Sequence, residues 1–381
     1  MIWPLPSLPV FTQWVDAGKV AKGTLHGRSA YESVGGVRIT MVEPSRAIFS
    51  SAEYQRRLEK TRRTMENLGV ELLLVSNPAN MNYLTGYDGW SYYVHQMVVI
   101  SLHQASPLWI GREMDVPGAV ATSWLKSDSI NGYADTFVDS SERHPMHFVS
   151  SLLVERGCEK GRIGVEMDSW YFTARAYREL LRSLPKAELV DAWPLVNWVR
   201  LVKSHQELDL MRGAGEIVSH AMGVAIDSIE PGVRENDAVA DITHAQISGT
   251  PRFWGDYPAT LAAVPSVTKS AAPDLTWNGD PFVSGSATNI ELGGCHHRYH
   301  AALARTLYLG KPPLKLNQLA EATCEGMEAI LSVLRAGRTC DDIESVWRHE
   351  MAKAGYEKNS RIGYSIGLNY PPDWGEQNAS L

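Results

Sequence analysis

Residues 290–306 read IELGGCHHRYHAALART. One carboxylate, Glu291, sits in an apolar run that passes into Gly293 and Gly294, and three histidines, His296, His297 and His300, follow closely. A carboxylate buried in an apolar strand is unfavourable unless it is paired or used. Held by an arginine or by backbone amides it is structural; turned toward a substrate it is a nucleophile or a base. The histidines invite a zinc reading, but adjacent residues on a strand point to opposite faces, so His296 and His297 are not expected to chelate one ion.

Composition bounds what surrounds this stretch. A chain of 381 residues, 44% hydrophobic and 21% charged, can bury a large core and is expected to form two domains. The formal charge of −7, with no long run of Lys or Arg, gives no electrostatic reason to bind nucleic acid or an anionic membrane, so a small molecule is the expected partner. Cys158, Cys295, Cys324 and Cys340 show neither zinc spacing nor a disulfide pattern and suit a reducing cytoplasm. No apolar run reaches the roughly 18 residues a membrane span needs, and the N-terminus lacks the pattern of an export signal.

Residues 1–40 are rich in Gly, Pro and Ser without a sustained period, and are expected to be a disordered extension or a mis-assigned start ahead of Met41. Ser50 and Glu53 then form a capping box for a helix carrying Tyr54, Leu58, Met65 and Leu68 and ending at Gly69. The short apolar runs at 71–76, 97–101, 107–111 and 162–167 predict buried strands alternating with helices, an α/β domain over 41–198. A second capping box, Ser204 with Glu207, opens a long helix whose apolar residues are Leu208, Met211, Ile217, Val218, Met222 and Ile226, and the second domain is placed over 199–381. Two further helices are predicted at 316–337 and after Thr339.

Six ordered blocks carry a family likeness: NMNYLTGYDGWSYYV (80–94), ERHPMHFV (142–149), LVNWVRLVKS (195–204), GDYPA (255–259), RYHAALARTLYLGKPP (298–313) and RIGYSIGLNYPPDWGE (361–376). Together they resemble the creatinase, prolidase and methionine aminopeptidase superfamily, and within it the ectoine hydrolases. The resemblance implies a creatinase-like α/β N-terminal domain followed by an α+β pita-bread domain, and a cytoplasmic homodimer. In metal-dependent members two aspartates eleven residues apart, a His in a Gly-His-Gly loop and two later glutamates hold a pair of divalent ions. The same frame here gives Glu291, Ala302 and Tyr364. Ala302 has no ligand atom and Tyr364 is a poor ligand for hard ions, so no metal and no other cofactor is expected. Creatinase likewise works without metal.

The implied reaction opens the cyclic amidine ring of ectoine to N-acetyl-2,4-diaminobutyrate, a step of compatible-solute catabolism. A carboxylate at 291 suits it twice, as a partner of the amidinium and as the group that attacks its carbon or deprotonates a water. Trp254, Tyr257 and Tyr364 are expected to line the site by cation–π attraction, with Trp90 joining them because a first-domain loop of creatinase-like dimers reaches the partner's site. Arg298 and Arg305 are candidates for the substrate carboxylate, His300 points inward, and Glu376 is a loop acid near the substrate, whereas Asp373 reads as a solvated turn acid.

Two departures stand out. Relatives carry Pro-His where this chain has Pro273-Asp274, and Asp274 can shuttle a proton only if burial lifts it from its usual value of about 3.9. The chain also stops at Leu381, soon after DWGE, where the family continues into the last site glutamates, so a truncated pita-bread domain is expected. Competing readings are an enzyme for another small cationic osmolyte, a prolidase-like metallopeptidase, and an inactive binding module.

Overall fold

The computed structural model describes residues 47–272 and 275–381, with the backbone of two short strands at 31–34 and 37–40. The chain divides into compact units at 1–43 and 44–381. In the first, Tyr31–Val34 pairs antiparallel with Val37–Thr40. Residues 1–30, on which most of the expected extension falls, lie outside the described residues, and so does Asp274.

The second unit opens with α1, Ser51–Leu68. The Ser50 side chain accepts from the Glu53 amide, and Gly69 ends the helix in the left-handed conformation at φ 64°. Only half of the predicted capping box forms, because the Glu53 carboxylate turns to Arg56 and to Arg57 Nε, 3.0 Å away. Then come β1 (Leu72–Val75), α2 (Pro78–Thr85), β2 (Met97–Ser101), β3 (Leu108–Arg112), β4 (Ile130–Tyr133), α3 (Pro145–Glu155), β5 (Lys160–Val165), α4 (Ala174–Ser183) and β6 (Lys186–Asp191). The strands form one mixed sheet in the order β4-β3-β2-β1-β5-β6. Its alternating residues feed two cores. Leu73, Val75, Val98 and Ile100 pack with α1 and α2, while Leu72, Leu74, Met97 and Val99 pack with α3 and α4. Burial on both faces is why these strands read as unbroken apolar runs.

The first of those cores also takes Tyr299, Leu368 and Tyr370 from the later half of the chain. Arg57 strengthens the junction: it lies 3.5 Å from Glu207, whose Oε1 accepts from the Tyr299 hydroxyl at 2.8 Å.

In the later half, α5 (His205–Ser228) and α6 (Glu235–Ser248) pack on the hairpin of β7 (Ala287–His296) and β8 (Tyr299–Tyr308). The Ser204–Glu207 capping box forms completely. The buried stripe of α5 is rotated from the predicted one, being Gly213, Ala214, Ile217, Val218, Ala221, Met222 and Ala225, with Ile226 exposed. Small residues win this face because the hairpin comes so close that a Cβ on Gly294 would stand 2.1 Å from the Ala214 carbonyl oxygen. Helices α7 (Leu314–Val333) and α8 (Cys340–Lys353) and the strand pair β9 (Tyr364–Ile366) with β10 (Gly375–Ser380) follow the hairpin. No described helix is long and apolar enough to cross a membrane.

Candidate active site

The hairpin register decides which side chains can meet. His296 pairs with Tyr299 across a two-residue turn, His297-Arg298, and further along His300 stands opposite Cys295, Ala302 opposite Gly293 and Ala304 opposite Glu291. Alternate residues share a face, so Glu291, Gly293, Cys295, His300, Ala302 and Ala304 line one side, while Ile290, Leu292 and Gly294 turn toward α5. Residues 291 and 302, eleven apart in sequence, are therefore diagonal neighbours on one face. The main chain of Glu291 is bonded outward to Ala263, donating at 2.9 Å and accepting at 3.0 Å. Its side chain is exposed, which corrects the expectation of a buried carboxylate: the residues across from it are small, and this face of the strand pair is open.

Next to Glu291 on the same face, a Cβ on Gly293 would fall 2.7 Å from the Trp374 ring. Trp374 is buried there, and its Nε1 donates to the Tyr364 hydroxyl at 2.8 Å. The two consecutive glycines thus have separate reasons: Gly294 admits the α5 backbone and Gly293 admits an aromatic ring. Tyr364 is partly exposed, with the Arg361 guanidinium 4.4 Å over its ring.

A second group gathers at the turn end of the hairpin. Trp90 Nε1 donates to the Tyr257 hydroxyl at 2.6 Å, and the Arg298 guanidinium lies 4.1 Å over the Tyr257 ring. Trp254 is half exposed and meets His296 and His297 edge-on at 5.4 and 5.0 Å. The two histidine rings are 4.5 Å apart because His297 belongs to the turn, so the expectation that they face opposite sides does not hold. At about 3.3 Å per residue, the five steps along the strand from Glu291 to His296 span roughly 16 Å. The expected site residues therefore form two groups along the hairpin, Glu291 with Tyr364 on the open face and Trp90 with Trp254, Tyr257 and Arg298 at the turn.

Three nominations change meaning with these placements. Arg298 is buried and its Nε donates to Asp88 Oδ1 at 2.8 Å, so its guanidinium is engaged at the turn rather than offered beside Glu291. Glu376 is 1% exposed and its carboxylate is paired with Arg200 and Lys203 rather than presented on an open face. His300 is wholly buried: Nε2 accepts from the Ala259 amide at 2.9 Å, leaving the proton on Nδ1, which faces the Gly367 carbonyl at 3.3 Å. Arg305 is exposed, with Nη1 donating to the Ala304 carbonyl, and Asp373 accepts from the Gly375 amide as a turn acid. Asp88, Asp256 and Tyr370, outside the set expected from sequence, each lie in one of the six motif blocks. Their signal was two acids and a tyrosine in segments that converge on one arginine.

Burial depresses the His300 pKa to about 4 and does the same to His144. In the unfolded chain histidine titrates near 6.5, so the unfolded state takes up protons first as the pH falls. Stability from neutral His300 is complete above about pH 6.5 and is lost toward pH 4, by about 3 kcal/mol at the lower limit. Thermal melting between pH 8 and pH 4.5 is expected to show a falling Tm, with part of that slope removed in His300→Gln. A slope identical in the variant rules this origin out.

Two family models match the chain, Creatinase/Prolidase N-terminal domain over residues 57–202 and Metallopeptidase family M24 over 209–379. The ectoine hydrolase of Halomonas elongata is 43% identical over 340 residues, covering 87% of this chain and 85% of that protein. The creatinase of a Bacillus species is 23% identical over 84% of this chain and 76% of its own length. A dipeptidase structure from Pyrococcus horikoshii superposes with a TM-score of 0.70 at 20% identity, covering 85% of this chain and 87% of its own. The chain belongs to the creatinase/prolidase superfamily and is a hydrolase of C–N bonds. Its fold is a creatinase-type N-terminal domain followed by a pita-bread domain.

The metallopeptidase relatives raise the question of fit to divalent ions. Position 302 offers a methyl group, the Tyr364 hydroxyl accepts from Trp374, and among the described residues no cluster of three or more His, Cys, Asp or Glu could hold an ion. The donor set described here does not fit a dinuclear centre.

Proposed function

We propose that this chain opens the ring of ectoine or a close cyclic amidine, with Glu291 as the acting carboxylate and no metal in the step. The observation that carries the reading is the setting of Glu291 in a chain 43% identical to an ectoine hydrolase: an exposed carboxylate on an open sheet face, over Gly293, Ala302 and Ala304 and beside the Trp374–Tyr364 pair. The small residues leave room for a ring, and the aromatic pair offers a surface to a delocalised cation.

Glu291 first pairs with the amidinium. Its oxygen then bonds to the ring carbon between the two nitrogens, or takes a proton from the water that does so. Protonation of one ring nitrogen lets the C–N bond break, and net addition of one water gives N-acetyl-2,4-diaminobutyrate. Tyr364 lines the substrate, while Trp90, Trp254 and Tyr257 shield the turn end around Arg298. A homodimer, a cytoplasmic setting and working domains at 41–198 and 199–381 belong to the same proposal. Asp274, as the proton carrier, belongs to it as well.

EDTA-treated protein incubated with ectoine and followed by NMR is expected to open the ring at an unchanged rate, and added Mn²⁺ is expected to leave that rate within about twofold. A rate restored only by Mn²⁺ sinks the metal-free reading in favour of the metallopeptidase one. Binding of ectoine without turnover points to an inactive binding module.

A further inference from the structure

The strained point of the hairpin is its turn. His297 and Arg298 both adopt left-handed backbone, φ 49° and 66°, a region that ordinarily favours Gly or Asn in two-residue turns. Such a conformation persists where its surroundings over-determine it. Here the Asp256 carboxylate accepts from the Arg298 amide at 3.1 Å, the Asn369 amide donates to the Arg298 carbonyl at 3.0 Å, and the guanidinium lies between the rings of Tyr257 and Tyr370 at 4.1 and 5.3 Å. Arg298 Nη1 is buried with no hydrogen-bond partner, and Nη2 is 4.0 Å from Asp256. The strongest charge contact of this cation is therefore Asp88, at 2.8 Å.

Asp88 does more than neutralise. The same Oδ1 accepts from the Tyr370 hydroxyl at 2.7 Å, and that hydroxyl accepts from Asn82 Nδ2 at 2.9 Å. The Asp88 amide donates to Thr122 Oγ1 at 3.1 Å, which fixes the loop that carries it. One carboxylate thus joins the first-domain loop to the hairpin turn and to the segment around residue 370. The hairpin carries Glu291, and the 364–376 segment carries Tyr364 and Trp374.

We infer that Asp88 is a positioning residue for the ring-opening reaction, acting through Arg298 to hold the strand of Glu291 in register with the Tyr364–Trp374 pair. The inference rests on the proposed role of Glu291. Without the Asp88 charge the guanidinium swings toward Asp256, the left-handed turn relaxes, and the strand bearing Glu291 shifts against its aromatic neighbours. A misplacement of about 1 Å at a reacting group can lower a rate by about a hundredfold.

The full chain carrying Asp88→Asn is compared with wild type for kcat and KM on ectoine and for melting. Asparagine keeps the size and an acceptor for Tyr370 but removes the charge. Expected is a kcat reduced about tenfold to a hundredfold with KM within about threefold, a cooperative melt, and partial recovery in Asp88→Glu. The double variant Asp88→Asn with Arg298→Lys is expected to be no slower than the slower single variant, because both act through one contact. An unchanged kcat in folded Asp88→Asn overturns the inference while leaving Glu291 in its role, and so do losses that multiply in the double variant. Wild-type protein that leaves ectoine intact overturns the parent reading and this inference together.

Discussion

Glu291→Gln is expected to leave a protein that melts like the wild type and opens ectoine at least about a thousandfold more slowly. The unchanged melt follows from exposure: the side chain lies on the open face of the strand pair, opposite Ala304, and the main-chain bonds to Ala263 survive the substitution. Glutamine keeps the shape but can neither attack a carbon nor accept a proton as a base. The size of the loss separates the two mechanisms. Removing a general base costs about 10² to 10⁴ in rate, whereas removing a nucleophile that works as part of a unit reaches about 10⁶. Rapid acid quenching of the wild-type reaction, followed by mass analysis of the peptide containing Glu291, supplies the independent check. A substrate adduct on that peptide selects covalent attack, and a thousandfold loss without an adduct selects base action. A Gln variant that retains more than about a tenth of the activity removes Glu291 from the chemistry.

How much of this was legible from sequence depended on whether a feature is local. The strands at 72–75 and 97–101 announced themselves because a sheet covered on both faces needs apolar residues at every position. The helix starts at Ser50 and Ser204 were visible because capping is settled within four residues. The common face of positions 291 and 302 was implicit in their spacing, but reading it required knowing that the turn holds two residues, and neither His297 nor Arg298 is a usual left-handed turn residue. The stripe of α5 was misjudged for a related reason: periodicity favours large apolar residues, whereas the approach of Gly294 selects Ala and Gly. Arg298, His300 and Glu376 are engaged by partners that are remote in sequence, Asp88, Ala259 and Arg200, which no local pattern names.

Arg200→Met is expected to destabilise the fold by about 3 to 5 kcal/mol, the usual loss when one member of a buried ion pair is removed and the other charge stays behind. Arg200 and Glu376 are 2% and 1% exposed and 2.9 Å apart. The same guanidinium donates to Asn80 Oδ1 at 2.8 Å and to the Leu368 carbonyl at 2.7 Å, and Asn197 Nδ2 donates to the Glu376 carbonyl at 2.8 Å. Asn80 in turn donates to Glu166, whose carboxyl burial pushes above its ordinary range. A methionine fills the volume of the arginine stem but leaves two buried acceptors without a donor and Glu376 with Lys203 as its cation. Chemical denaturation is expected to show the loss in midpoint with little change in slope. The companion variant Glu376→Gln decides what the acid is for. As a clamp between the strand at 375–380 and the segment carrying Arg200 and Lys203, it should lower stability while the kcat of the folded fraction stays within about threefold. If kcat falls about a hundredfold in a protein that melts normally, the carboxylate reaches the substrate after all, and the ion pair must open during turnover.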